Sequence, residues 1–151
     1  MLGTATLTSG SATVMFDSAQ LPVGRSTLTV RYNGDENVAA TTTTVEQRVR
    51  RAISRVSAGV LDETVVVRKT RAWVEVTVEL PNFQRAEPEG RVRITDQFGG
   101  VLGRSAVDYG TALVRLEAFK KAGTRTLTVY YSGTPNAARS NSDFTIDVVR
   151  R

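Results

Sequence analysis

Residues 24–40 read GRSTLTVRYNGDENVAA, and 99 positions later residues 123–139 read GTRTLTVYYSGTPNAAR. The two stretches agree at Gly24/Gly123, Thr27/Thr126, Leu28/Leu127, Thr29/Thr128, Val30/Val129, Tyr32/Tyr131, Gly34/Gly133, Asn37/Asn136 and Ala39/Ala138, so they are two copies of one unit. Within each copy Leu, Val and Tyr fall on every second residue, with Thr, Arg or Tyr between them, which is the period of a strand with one buried face. A Gly opens each strand and a Gly-containing turn closes it.

Outward from the second copy the same alternation recurs. It predicts strands near 56–60, 64–68, 72–80, 91–96, 101–107, 112–116, 127–131 and 144–149. In 72–80 (AWVEVTVEL), Val74, Val76, Val78 and Leu80 share one face, and Trp73, Glu75, Thr77 and Glu79 share the other. Pro81 cannot donate to a ladder and ends that strand, and Pro88-Glu89-Gly90, Phe98-Gly99-Gly100 and Tyr109-Gly110 supply further turns. Seven or eight short strands with turns between them, and no helical period, predict an all-β chain folded as an antiparallel β-sandwich with Greek-key connections.

The first copy is shorter. Leu2-Gly3 matches Leu102-Gly103, Gly10 matches Gly110, and Ala12 and Val14 match Ala112 and Val114, at an offset of 100, so one residue is lost before Gly24. Nothing in residues 1–50 corresponds to 64–96. Residues 1–49 therefore read as the C-terminal half of a domain, and 50–151 as a complete one. The half is expected to hold four strands with one apolar face, made by Ala12, Val14, Phe16, Leu28, Val30 and Tyr32. Such a face does not stay in water without cover, whether from a neighbouring domain, a second copy of the chain or a complementing strand.

LGTATLTSGSATVMF followed by LPVGRSTLTVRYNGDENVAATTTTVEQRV resembles the closing half of the bacterial Ig-like repeats found in tandem in large surface and secreted proteins. The resemblance is specific over residues 2–49 and in register, though weaker, over 101–149. It implies an immunoglobulin-like sandwich with a spacer or adhesive role, outside the cell or on its surface as part of a longer exported chain. It carries no catalytic residue. An alternative of a different class is a structural protein of a bacteriophage virion, a capsid decoration or tail component, assembling through its incomplete first sandwich.

Composition narrows the chemistry. Cys and His are both absent, which excludes disulfides, thiol nucleophiles, His-based triads and ordinary zinc or copper sites. An enzyme is not expected. No run of eighteen apolar residues occurs, so no membrane insertion is expected, and MLGTATLTSGSAT lacks the form of a signal peptide. The net charge of +5 sits in the second copy: residues 1–50 hold four basic and four acidic side chains, leaving 20 − 4 = 16 basic and 15 − 4 = 11 acidic. The basic clusters at Arg48, Arg50, Arg51 and Arg55, at Arg68, Lys69 and Arg71, and at Arg150 and Arg151 have no stacking aromatics beside them. They read as guarded strand ends, and nucleic acid is disfavoured as a partner.

Asp35, Glu36 and Asn37 group three oxygen-bearing side chains in one turn, a partial calcium ligand set. The favoured reading is a loop that caps its own backbone, with no cofactor, because the equivalent loop of the second copy has lost both carboxylates. Asp62-Glu63 and Glu87-Pro88-Glu89 read as solvated turns. Trp73 and Leu113 fall on outward faces of strands that share a sheet in an Ig-like sandwich, and Tyr130 is outward where the first copy has Arg31. Trp73, Leu113 and Tyr130, with Ala12, Val14 and Phe16 of the open face, are the candidate interface, for protein or glycan.

Overall fold

Glycines fix where the repeated strands turn. Gly34 (φ 83°) and Gly133 (φ 73°) lie in the left-handed region that side-chain-bearing residues avoid. A Cβ at Gly34 would lie 2.8 Å from both Val38 O and Ala40 N, and one at Gly133 2.7 Å from Ala137 O and 2.9 Å from Arg139 N. The same tight loop thus recurs 99 positions on. The computed structural model describes residues 1–17, 20–83 and 87–150. Arg151, half of the C-terminal basic pair, lies outside them. The chain divides into two units, Met1–Arg50 and Arg51–Arg151.

The first unit is built on β1 (Gly24–Tyr32) and β2 (Thr41–Val49), an antiparallel pair in register from Gly24↔Val49 to Tyr32↔Thr41. An isolated bridge joins Thr8 and Ser11 across the Ser9-Gly10 turn. The described residues hold no further strand here, so the expectation of four is corrected: Ala12, Val14 and Phe16 are not in a ladder. Ala112 and Val114, the counterparts of Ala12 and Val14, are strand because they pair with Val76 and Val74. Among its described residues the first unit has no such neighbour, and an extended segment without partner N–H and C=O groups forms no sheet.

The second unit holds β3 (Arg55–Val60), β4 (Val65–Val66), β5 (Trp73–Glu79), β6 (Gly90–Asp96), β7 (Val101–Val107), β8 (Thr111–Arg115), β9 (Gly123–Tyr131) and β10 (Ser140–Val149). They form a three-stranded sheet, β3-β5-β8, and a five-stranded sheet, β4-β10-β9-β6-β7. All neighbours are antiparallel except β4 and β10, which run parallel with Val65↔Val148 and Val66↔Val149. A further parallel bridge joins Ala52 to Ala137, just before β10 begins. The segment entering the unit is therefore fastened at the start of β10 and, after β3, again at its end.

The two sheets are held by the alternate residues that the sequence placed inward. Val74, Val76 and Val78 of β5, Val92 and Ile94 of β6, Val114 of β8, Leu127, Val129 and Tyr131 of β9, and Ile146 and Val148 of β10 are all buried. Burial of that apolar surface is the main favourable term for the sandwich. The buried Ser54 is satisfied: its hydroxyl donates to Ala138 O at 2.6 Å and exchanges a hydrogen bond with Ser140 at 2.8 Å. Gly103 lies where β7 approaches β8 so closely that a Cβ would be 2.6 Å from Val114 Cγ1 and 2.9 Å from Arg115 O.

Candidate functional site

Among the described residues no three acidic side chains come together in a way that could hold a metal ion. Asp35 is engaged by its own loop. Its Oδ1 accepts from the N–H groups of Asn37 and Val38, both at 2.8 Å, and its Oδ2 accepts from the Tyr32 hydroxyl at 2.6 Å. The Tyr32 hydrogen bond, and then the two backbone donors, hold the Asp35 carboxyl below the usual carboxylate range. The same hydrogen bond raises Tyr32 above the ordinary tyrosine value. In the second unit Thr134 Oγ1 takes the place of the carboxylate, accepting from Asn136 N at 3.3 Å and Ala137 N at 3.0 Å. Asp62, in a turn, also accepts from backbone: Trp73 N–H donates to its Oδ2 at 2.6 Å.

Trp73 and Leu113 are brought together. Trp73 opens β5, Leu113 is central in β8, and the register sets Trp73 opposite Arg115 and Glu75 opposite Leu113. Trp73 is 41% and Leu113 55% exposed. With Leu61 and Asp62 they line a shallow apolar depression on the outer face of the three-stranded sheet. The Arg115 guanidinium lies over the indole, 5.6 Å from the ring centroid. Leu61 N–H donates to Trp73 O at 2.9 Å, so the 61–62 turn is fastened to the strand that carries the tryptophan.

Tyr130 belongs to a different surface. It is on β9, with Arg93 of β6 opposite it on one side and Asn141 of β10 on the other; Arg93 in turn faces Arg104 of β7. Arg93 lies over the Tyr130 ring at 4.9 Å. Arg91, Arg93, Arg104 and Arg139 all border one open groove on the outer face of the five-stranded sheet, with Tyr130 on its floor. Sequence reasoning passed over these four arginines. The Arg-Val-Arg of 91–93 was a visible signal, but Arg104 and Arg139 reach the groove only through strand register.

The first unit presents its own surface. Val30 is 53% exposed although its counterpart Val129 is fully buried. Leu28 and Tyr32 are half-buried, whereas Leu127 and Tyr131 are buried. Val14, Phe16 and Val45 are likewise exposed, as is Ala12. The hydroxyl of Tyr131 donates to Glu89 O at 2.5 Å, a carbonyl for which the first unit has no counterpart, and Tyr32 turns instead to Asp35. The repeated strand and the glycine loop after it recur in both units, and what differs there is the cover.

A family model described as bacterial Ig-like domain, group 3, matches residues 61–149, more than half of the chain. Among curated proteins none matches. Two solved structures are similar at a distance, the first of them from Porphyromonas gingivalis. One is the complex of the RgpB pro- and mature domains, 19% identical, TM-score 0.40, covering 66% of this chain and 19% of that one. The other is the Arg-specific cysteine proteinase gingipain R, 18% identical with the same TM-score of 0.40 and the same coverage, 66% and 19%. The chain thus spans 19% of the length of either relative, and at this TM-score the likeness carries no argument about activity.

Proposed function

Because the chain belongs to the bacterial Ig-like domain family, group 3, we propose that it is a non-enzymatic structural module of a cell-surface or secreted protein, serving as spacer and adhesive surface. Residues 1–49 are read as the closing half of one such domain. The observation that carries this reading is the open apolar face of the first unit. Val30 and Val45 are about half exposed, whereas in the second unit the counterpart of Val30, Val129, is fully buried and that of Val45, Phe144, is half-buried against the core. The second unit also displays what fits that face: strands of the kind of β3, β5 and β6, with Val56, Val74, Val76, Val92 and Ile94 pointing inward. The first unit is accordingly completed by an Ig-like half-sandwich of the same pattern from another stretch of polypeptide. The Trp73–Leu113 patch is a second apolar contact on the complete domain.

Light scattering of the 151-residue chain over a range of concentrations, combined with limited proteolysis, tests this. The expected result is early cleavage within residues 1–50 of the dilute monomer and a resistant second unit, since an uncovered hairpin opens at little cost. A stable oligomer that protects residues 1–50 would show the cover to be a second copy, and would move the reading to an assembly protein such as a virion component. A dilute monomer equally resistant throughout would overturn the open-face argument.

A further inference from the structure

We infer that the outer face of the five-stranded sheet is a binding site for an acidic polysaccharide, held by Arg91, Arg93, Arg104 and Arg139 beside Tyr130. This deepens the adhesive part of the function proposed above. It concerns a different surface from the open hairpin face and the Trp73–Leu113 depression.

Sheet register builds the site. Arg104, Arg93, Tyr130 and Asn141 form one row across β7, β6, β9 and β10, and Arg91 lies two residues along β6 from Arg93, on the same face. Four strands spaced about 4.8 Å apart make this row roughly 15 Å wide. None of the four guanidinium groups has an ion-pair partner among the described residues. The nearest acidic side chain on the β9–β10 part of this face, Asp143, accepts from Thr128 Oγ1 at 2.7 Å, one row farther along the strands. The groove is therefore cationic over its whole width, and it belongs to the part of the chain that holds the entire charge excess.

The chemistry of the surface selects its partner. Planar guanidinium groups bind carboxylates and sulfates through paired hydrogen bonds, and several across one groove suit a chain that carries anions at intervals better than a single small ion. A single-stranded nucleic acid needs free aromatic faces for its bases, and the one aromatic ring here is capped by Arg93 at 4.9 Å. A peptide adding as a strand needs a sheet edge, and these residues project from the face. The side-chain amide of Asn141 has no partner among the described residues and is exposed at the end of the row, available to sugar hydroxyls.

Calorimetric titration of the 151-residue chain with oligogalacturonate and with a heparin oligosaccharide tests the inference, with neutral dextran as control. Poly-L-glutamate, single-stranded DNA and phosphatidylserine vesicles serve as competitors. Binding of at least one acidic oligosaccharide and not of dextran is expected, weakening as salt is raised. The double variant R93E/R104E should lose at least tenfold in affinity at an unchanged melting temperature. K120E/K121E removes the same charge from an exposed turn and should change affinity less than twofold. No binding to either acidic oligosaccharide, an equal loss in both double variants, or tighter binding of poly-glutamate, DNA or vesicles would overturn it. Each of these outcomes leaves the open face of the first unit, and its own test, untouched.

Discussion

Truncating the two equivalent valines, Val129 and Val30, separates cover from local structure. Val129 is fully buried and is paired with Ile94 across β6 and β9, so Val129→Ala removes two methyl groups from the space between the sheets. At about 0.8 kcal/mol per buried carbon the transfer loss is about 1.6 kcal/mol, and the unfilled space adds to it, for a total of about 2–3 kcal/mol. For a unit of this size that lowers the melting temperature by about 10–20 °C. Val30 holds the same position in the repeated strand but is 53% exposed, so Val30→Ala leaves no cavity. It should cost less than about 0.8 kcal/mol. Scanning calorimetry of the full chain gives both numbers. The fluorescence of Trp73, the chain's one tryptophan, reports the second unit alone. Equal losses for the two variants in dilute monomer would refute the reasoning, because Val30 would then be covered in solution.

Gly103→Ala forces a Cβ to within 2.6 Å of Val114 Cγ1 and 2.9 Å of Arg115 O beside a fully buried valine, whereas a Cβ at Gly3 comes within 2.7 Å of Cγ1 on the exposed Val14 and no closer than 3.8 Å to backbone, at Met15 O. Urea unfolding should show about 1–3 kcal/mol lost for Gly103→Ala and little for Gly3→Ala, and the reverse order would sink the argument. Burial, and then the Glu89 charge, raise Tyr131 above its ordinary value of 10.0. Its contribution is therefore complete below the unfolded value and is lost as pH rises through the folded one. Tyr131→Phe should cost about 1 kcal/mol at neutral pH through the lost hydrogen bond to Glu89 O, and should flatten the alkaline limb of stability measured from pH 8 upward. Asp35 is lowered in the folded loop, so its contribution is present above the unfolded value and is lost as pH falls through the folded one. Amide exchange at Asn37 and Val38 should speed up relative to Asn136 and Ala137 on acidification, and parallel behaviour of the two loops would count against it.

Where one face of a strand is buried, the sequence was legible. The alternation in 72–80 and in the repeated stretch placed Val74, Val76, Val78, Leu127 and Val129 in the core, where the structure has them. Strand ends were less legible because partners set them. β10 begins at Ser140 rather than 144 because β9 continues to Tyr131 and offers Ser140 a partner. β4 shrinks to Val65–Val66 because Thr70 Oγ1 takes the Val66 N–H and Arg68 turns to φ 59°. The apolar alternation of 12–16 resembled a strand, but alternation reports a face and not a neighbour. Trp73 and Leu113 were placeable in one patch because both lie on adjacent strands of a short sheet. The arginine groove was not, since its residues come from positions 91 to 139 and converge only through the β7-β6-β9-β10 order.

The parallel attachment of the entering segment to β10 also decides how the second unit answers to tension. Ala52 is joined to Ala137 at one end of β10 and Val66 to Val149 at the other, so the chain enters and leaves at opposite ends of a ten-residue strand. At about 3.3 Å per residue that is some 33 Å along the strand axis. A pull on the two ends acts along the strands, and slides β4 past β10 instead of peeling them apart one bond at a time. The Val67 N–H bond to Val149 O and the parallel pairs beside it share such a load and yield together.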